Sequence, residues 1–234
     1  MSRSFHYQRF YDRIAPLYAT AMRLLPVWRH YTEQVLPWLP PGGAVLEIGP
    51  GPGVLLAQLA GRYSLAVGLD LSPGMLQEAR RRLRRASRPV RLVQGEATRL
   101  PFAAHSFDGI VTTFTFSAIP DGLAAMGEMA RLLRPAGVLA LVDAGIPGDG
   151  NPLGTGLARL WTLFGDFMRD EAALMRQAGL EVIVRQEFGA FNGIRLVVGR
   201  QPPLVTLSDS EELALSRSEG VSSKQRRDSS LRSE

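Results

Sequence analysis

The chain has 234 residues, 45% hydrophobic and 21% charged, which makes one globular domain with a sizeable core and, at most, a short extension. It has no cysteine, which excludes disulfides, thiolate metal sites and a cysteine nucleophile; its three histidines, His6, His30 and His105, lack metal-ligand spacing, so no metal site is expected. The net charge of +5 is spread along the chain, almost wholly as arginine, and reads as a solvated surface rather than a nucleic-acid footprint.

Residues 1–6 carry no basic-then-apolar leader, and no apolar run approaches the roughly 18 residues of a membrane span, so a cytoplasmic protein is expected. Residues 5–39 are rich in aromatic and large aliphatic residues at spacings of three and four, which predicts amphipathic helices broken near Pro16 and Pro26 and ended between Pro37 and Gly43. Residues 1–40 are taken as an N-terminal helical cap, packed on a sheet edge or lying over an apolar substrate or a membrane surface.

Val45 to Ile48 reads as a strand, and Val54-Leu55-Leu56 as the start of a helix. Leu65 to Asp70 is a second strand; Ser72 caps the following helix, with Pro73 at its first position and a face of Leu76, Ala79, Leu83 and Ala86. Val90 to Gln94 and Phe107 to Phe114 are the third and fourth strands. Asp121 caps a helix running to Leu133, Arg134 to Gly137 ends it, and Val138 to Asp143 forms a fifth, central strand. After a Gly- and Pro-rich connection over 145–156, one helix is expected across much of 157–178. Leu180 to Glu187 and Ile194 to Gly199 then form an antiparallel hairpin. From residue 201 the chain is Ser-rich and without hydrophobic periodicity, which predicts a disordered tail over 201–234.

The alternation predicts an α/β fold: a doubly wound, mostly parallel seven-stranded sheet over 41–200, with an antiparallel C-terminal hairpin and a ligand beyond the carboxyl ends of the strands. Between strand and helix lies Gly49-Pro50-Gly51-Pro52-Gly53, where a cofactor can sit. The dinucleotide fingerprint asks for a third glycine at the position of Val54. Glu47, just ahead of the turn, would repel a pyrophosphate and attract an ammonium or sulfonium. A nicotinamide oxidoreductase on a similar sheet, or a non-catalytic cofactor-binding interaction protein, stays open.

Glu47-Ile48-Gly49-Pro50-Gly51-Pro52-Gly53 resembles the first motif of the S-adenosylmethionine-dependent methyltransferases of the Rossmann-like class. Asp70-Leu71-Ser72-Pro73-Gly74-Met75-Leu76 resembles their second. Gly95 to Phe102 with Ser106-Phe107-Asp108, and Leu132 to Leu139, resemble the segments around their fourth and fifth strands. Tyr11-Asp12-Arg13-Ile14-Ala15-Pro16-Leu17-Tyr18 is similar to the N-terminal segment of the ubiquinone/menaquinone biosynthesis group (methyltransferase type 11). The likeness covers roughly residues 7 to 199.

The resemblance implies S-adenosyl-L-methionine as cofactor. Glu47 and the amides around Gly49, Gly51 and Gly53 would hold its methionine part, and Asp70 its ribose hydroxyls. Leu71 and Met75 would lie against adenine, with Glu96 and Ala97 at its edge and Thr113 near the sulfonium. Relatives generally carry Asp where this chain has Glu96. Methyl transfer needs orientation and exclusion of water more than a base, and no catalytic residue is assigned. Asp143 is a candidate for the substrate side, while Asp108 and His105 read as structural. Quinone-methylating relatives carry a longer insertion after the fifth strand than this chain has between Asp143 and Glu171, which argues against a quinone ring as the acceptor. Trp28, Trp38, Trp161, Phe164 and Phe167 are therefore expected to line a pocket for a small, apolar or lipid-like acceptor.

Overall fold

In a computed structural model, the described residues are 12, 13, 15, 20, 26–84, 90–162 and 167–203, without the side chains of Pro26, Leu160 and Trp161. The elements below belong to a unit ending at Pro202; of the second unit, Pro203–Glu234, only Pro203 is described. The helices expected ahead of residue 26 and nearly all of the tail lie outside the described residues.

Helix α1 spans Pro26–Glu33, so Pro26 opens a helix, and a single 3-10 turn follows at Leu36–Trp38. Next come β1 (Ala44–Ile48), α2 (Val54–Arg62), β2 (Leu65–Asp70), α3 (Pro73–Leu83), β3 (Val90–Gln94) and β4 (Phe107–Thr113). The chain continues through α4 (Gly122–Leu132), β5 (Leu133–Ala144), α5 (Pro152–Thr162), α6 (Glu171–Gln177), β6 (Glu181–Phe188) and β7 (Ile194–Arg200).

The seven strands form one sheet in the order β3-β2-β1-β4-β5-β7-β6. β1 to β5 are parallel, and β7 runs antiparallel to both β5 and β6. Leu46, Ile48, Ile110, Leu139 and Leu141 point to one face, where Met126 and Met129 of α4 and Met175 of α6 cover them. Val45, Val111, Ala140 and Val142 point to the other, beneath Leu55, Leu56 and Leu59 of α2. Period-two strands thus feed two separate cores, which is what doubly wound means in packing terms.

Capping follows local chemistry. The Ser72 hydroxyl accepts from the Met75 amide (3.1 Å), and the Asp121 carboxylate from that of Ala124 (3.0 Å).

Two expectations are corrected. The turn expected at Arg134–Gly137 is part of β5, which begins at Leu133 and reaches the main register through a bulge between the Phe107–Leu133 and Gly109–Val138 pairs. Ala136 holds φ 62° there, and its amide donates to the carbonyl of Gln201 (3.0 Å), so pairing with the chain after β7 extends the strand. The single helix expected over 157–178 is two helices. Asn151 starts α5 early by accepting from the amides of Leu153 and Gly154, and Asp170 caps α6 through the Ala173 amide. Between them, the Phe167 amide donates to Ser117 (2.7 Å) and Arg169 to the Pro120 carbonyl (2.7 Å), which draws this connection onto the turn after β4. Among the described residues, no helix is long and apolar enough to cross a membrane.

Candidate functional site

The chain moves outward from β1 through β2 to β3, then returns to place β4 on the other side of β1. At that reversal the loops diverge and leave a crevice beyond the carboxyl ends of the strands. The crevice is a cavity lined from β1 by Glu47 and Gly49, from β2 by Asp70 and Leu71, from the β3 loop by Glu96 and Ala97, and from β4 by Thr113. Gly51 and Met75 also line it. Gly53 does not: its α-carbon faces α3, where a Cβ would stand 3.1 Å from the Cβ of Ala79.

The glycine turn differs from the expectation that its amides face a ligand. Gly49 donates to Leu69 (2.8 Å), Gly53 to Pro50 (2.9 Å) and Gly51 to the Asp70 carboxylate (3.1 Å), while Pro50 and Pro52 have no N–H. The turn is therefore not an anion cradle. All three glycines have positive φ, and the bends they allow bring Asp70 under the turn. The free amides are those of the first turn of α2, of which Val54 and Leu55 border the cavity.

Two carboxylates dominate the site. Glu47 is 1% exposed, lines the cavity, and its Oε2 has no hydrogen-bond partner among the described residues. Burial pushes its pKa up to about 8, with the charge of Asp70 adding to the rise. Asp70 is also raised by burial, to about 6, against the pull of the Ser72 and Gly51 amides that donate to its two oxygens. A buried carboxylate oxygen with no donor among the described residues, on a cavity-lining residue, favours a cationic ligand group beside it. The residues present thus fit a ligand with an ammonium at Glu47 and hydroxyls at Asp70.

Sequence reasoning missed three contributors. Thr32 of α1, and Thr115 with Ala118, Ile119 and Pro120 after β4, supply part of the wall. Asp143, a candidate for the substrate side, is not among the lining residues. It accepts from the Ser117 amide and hydroxyl, both at 2.8 Å, and so fixes the 3-10 turn Phe116–Ala118 from below. Burial lifts its pKa to about 7. The third is Asp12, whose carboxylate accepts from the Ser72 hydroxyl (2.6 Å) and the Gly74 amide (3.1 Å) at the start of α3, just after Asp70. Asp12→Ala is expected to cost about 1–2 kcal/mol of stability, and Asp12→Asn, which keeps a carbonyl acceptor, about half as much; chemical denaturation of both variants checks this.

Other candidates lie elsewhere. Trp28 lines the cavity, whereas Trp38 sits on the turn ahead of β1, at the opposite end of the sheet, and Phe167 lies under the Arg169 guanidinium at 4.6 Å. Phe164, His6 and the Trp161 side chain are outside the described residues. His105 is bound to the Leu133 carbonyl (2.8 Å), and Asp108 joins the Ala44 amide to Arg134.

Residues 46–141 match the methyltransferase domain family. Among curated proteins, a demethylmenaquinone methyltransferase of Mycobacterium sp. (strain KMS) is 38% identical over 120 residues, 51% of this chain and 49% of that protein. The chain thus spans about half the length of the curated relatives it matches first. Among solved structures, a chain of the Haloferax volcanii complex between the Trm112 methyltransferase activator and a methyltransferase superposes with a TM-score of 0.70 at 21% identity, over 82% of this chain and 97% of that one. The [4+2]-cyclase SpnF superposes with 0.66 at 17%, over 87% and 98%. These likenesses show the Rossmann-like fold, and the cyclase shows that the fold alone does not fix a reaction. Residues 46–141 are thus the part of the chain that is similar to the methyltransferase domain family.

Proposed function

We propose that this protein transfers a methyl group from S-adenosyl-L-methionine to a small, apolar, lipid-like acceptor. The observation that carries the reading is the buried Oε2 of Glu47, which has no hydrogen-bond partner among the described residues, on a cavity-lining residue two positions ahead of a glycine turn whose own amides are taken up by the protein. A dinucleotide pyrophosphate would lie against the buried carboxyl of Glu47, and the third glycine of its fingerprint is Val54 here.

S-adenosylmethionine, when bound, supplies an electrophilic methyl group on a sulfonium, so the chain need not generate the leaving group. Glu47 takes the ammonium and holds the methionine end. Asp70, fixed by two backbone amides, accepts from the ribose hydroxyls. Leu71, Met75 and Ala97 offer apolar surface to the adenine, with Glu96 at its edge, and Thr113 faces the reacting end. Residues 41–200 form the binding unit, and α1, whose Trp28 and Thr32 line the cavity, helps to exclude water from it. The relatives named for demethylmenaquinone, matched over about half their length, support a quinone-like ring on a lipid as the acceptor.

Titration calorimetry with S-adenosylhomocysteine tests the cofactor, and transfer of labelled methyl into lipid extracts tests the acceptor. Single-site binding and label in the lipid fraction are expected. Thermal protection by NAD but not by S-adenosylhomocysteine would overturn the reading.

A further inference from the structure

Phe114, directly after β4, holds φ 50°, a left-handed conformation that a side-chain-bearing residue adopts at a cost. The strain is held in place on both sides. The Phe114 amide donates to Val142 (2.8 Å), and the next hydroxyl, that of Thr115, bonds the carbonyls of Gly49 and Thr113, each at 3.1 Å. The chain thus turns its backbone unfavourably at one point on the cavity wall, and what it places there is an aromatic ring.

That ring meets a second one. Trp28 of α1 also lines the cavity, and its ring stands 4.7 Å from that of Phe114 at an interplanar angle of 86°. Tyr31, one helical turn on, is edge-on to Trp28 at 6.3 Å and packs on Phe188 of β6 at 5.6 Å, which anchors α1 to the far end of the sheet. The right-angled corner between Trp28 and Phe114 is therefore braced on both sides.

Its position in the sheet decides what it faces. Asp70 and the β3 loop lie on one side of β1, towards β2 and β3; Phe114 lies on the other, at the end of β4 beside Gly49. With the ammonium at Glu47, the corner stands beyond the reacting end and away from ribose and adenine. Of the titratable side chains among the described lining residues, Asp70 and Glu96 belong to the first side and Glu47 to β1 itself, and none belongs to the β4 side.

We infer that Trp28 and Phe114 select the methyl acceptor, holding a planar conjugated ring in the corner between their own rings, face against one and edge toward the other. The inference rests on the reading of the cavity as the S-adenosylmethionine site. With no described base on that side, the corner suits a ring whose own acidity supplies the nucleophile.

The test uses the full chain saturated with S-adenosylhomocysteine and two probes of one skeleton, planar 2-naphthol and saturated decahydro-2-naphthol, titrated by calorimetry. The planar probe is expected to bind about tenfold more tightly. Trp28→Leu and Phe114→Leu should each weaken 2-naphthol binding about fivefold, and Trp28→Phe, which keeps a ring, should restore most of it, while affinity for S-adenosylhomocysteine changes less than about twofold. Equal affinity for the two probes, or parallel loss of S-adenosylhomocysteine in the leucine variants, overturns the inference alone. Failure of the wild-type chain to bind S-adenosylhomocysteine overturns the underlying reading and this inference with it.

Discussion

Glu47→Gln is expected to stabilise the free protein near neutral pH and to abolish most cofactor binding. The wild-type carboxyl is buried, and burial raises its pKa from 4.5 to about 8. Below about pH 4.5 it is protonated in both folded and unfolded chains and contributes nothing to pH dependence. As pH rises from there the unfolded chain releases a proton that the folded chain keeps, so stability falls until about pH 8 and is level above it. Glutamine is near-isosteric with the protonated acid and removes that penalty, a gain of roughly 2–3 kcal/mol at pH 7 that shrinks to nothing near pH 4.5. Denaturation of both proteins at pH 5 and pH 7 measures it. A variant less stable than wild type at pH 7 would show that the buried carboxyl of Glu47 carries no such penalty.

The same substitution should weaken S-adenosylmethionine binding about a hundredfold, because a charge-assisted bond in a dry site becomes a neutral one. Wild-type binding should release nearly one proton at pH 7, since Glu47 must ionise to receive the ammonium, and affinity should climb between about pH 5.5 and 7.5, below the titration of the ligand's own amine. Calorimetry in buffers of different ionisation enthalpy reads the proton directly, and the glutamine variant should show none. Opposite signs on stability and binding separate a residue kept for its ligand from one kept for packing.

What the sequence made legible was whatever depends on local period and local chemistry. The strands read as buried because Val45 to Ile48 and Val138 to Val142 are near-continuous apolar runs, and Ser72 and Asp121 read as caps because side-chain oxygens precede helix-forming stretches. Nine of the ten residues expected at the cofactor site line the cavity, and they do so because parallel strands end together. The misses are non-local. Nothing in Leu133–Gly137 shows that the chain after β7 will pair with it, and nothing in residues 163–170 shows that Arg169 will reach the Pro120 carbonyl. Asp12, Thr32 of α1 and the wall residues Thr115 and Ala118–Pro120 contribute through neighbours that are remote in sequence. Even Gly53, correctly read as a turn glycine, serves the packing of α2 on α3 rather than the ligand.

Gly49 carries the second large effect. Its φ is +67°, and a Cβ there would stand 2.2 Å from Cγ2 and 2.3 Å from Oγ1 of Thr115. Gly49→Ala should therefore cost about 3 kcal/mol or more, from left-handed strain of 1–2 kcal/mol plus steric overlap. The overlap is with a side chain, so the two parts can be separated. Thr115→Gly alone should cost about 1 kcal/mol through loss of its hydroxyl bonds to Gly49 and Thr113, and the double variant should be better than the sum of the singles by at least about 1 kcal/mol. Strictly additive costs in that cycle would mean that the backbone angle, and not the contact, forbids a side chain. Affinity for the planar probe 2-naphthol should not recover with stability: Thr115 also holds the backbone next to Phe114, so relieving the clash at Gly49 frees the strained Phe114 on the cavity wall.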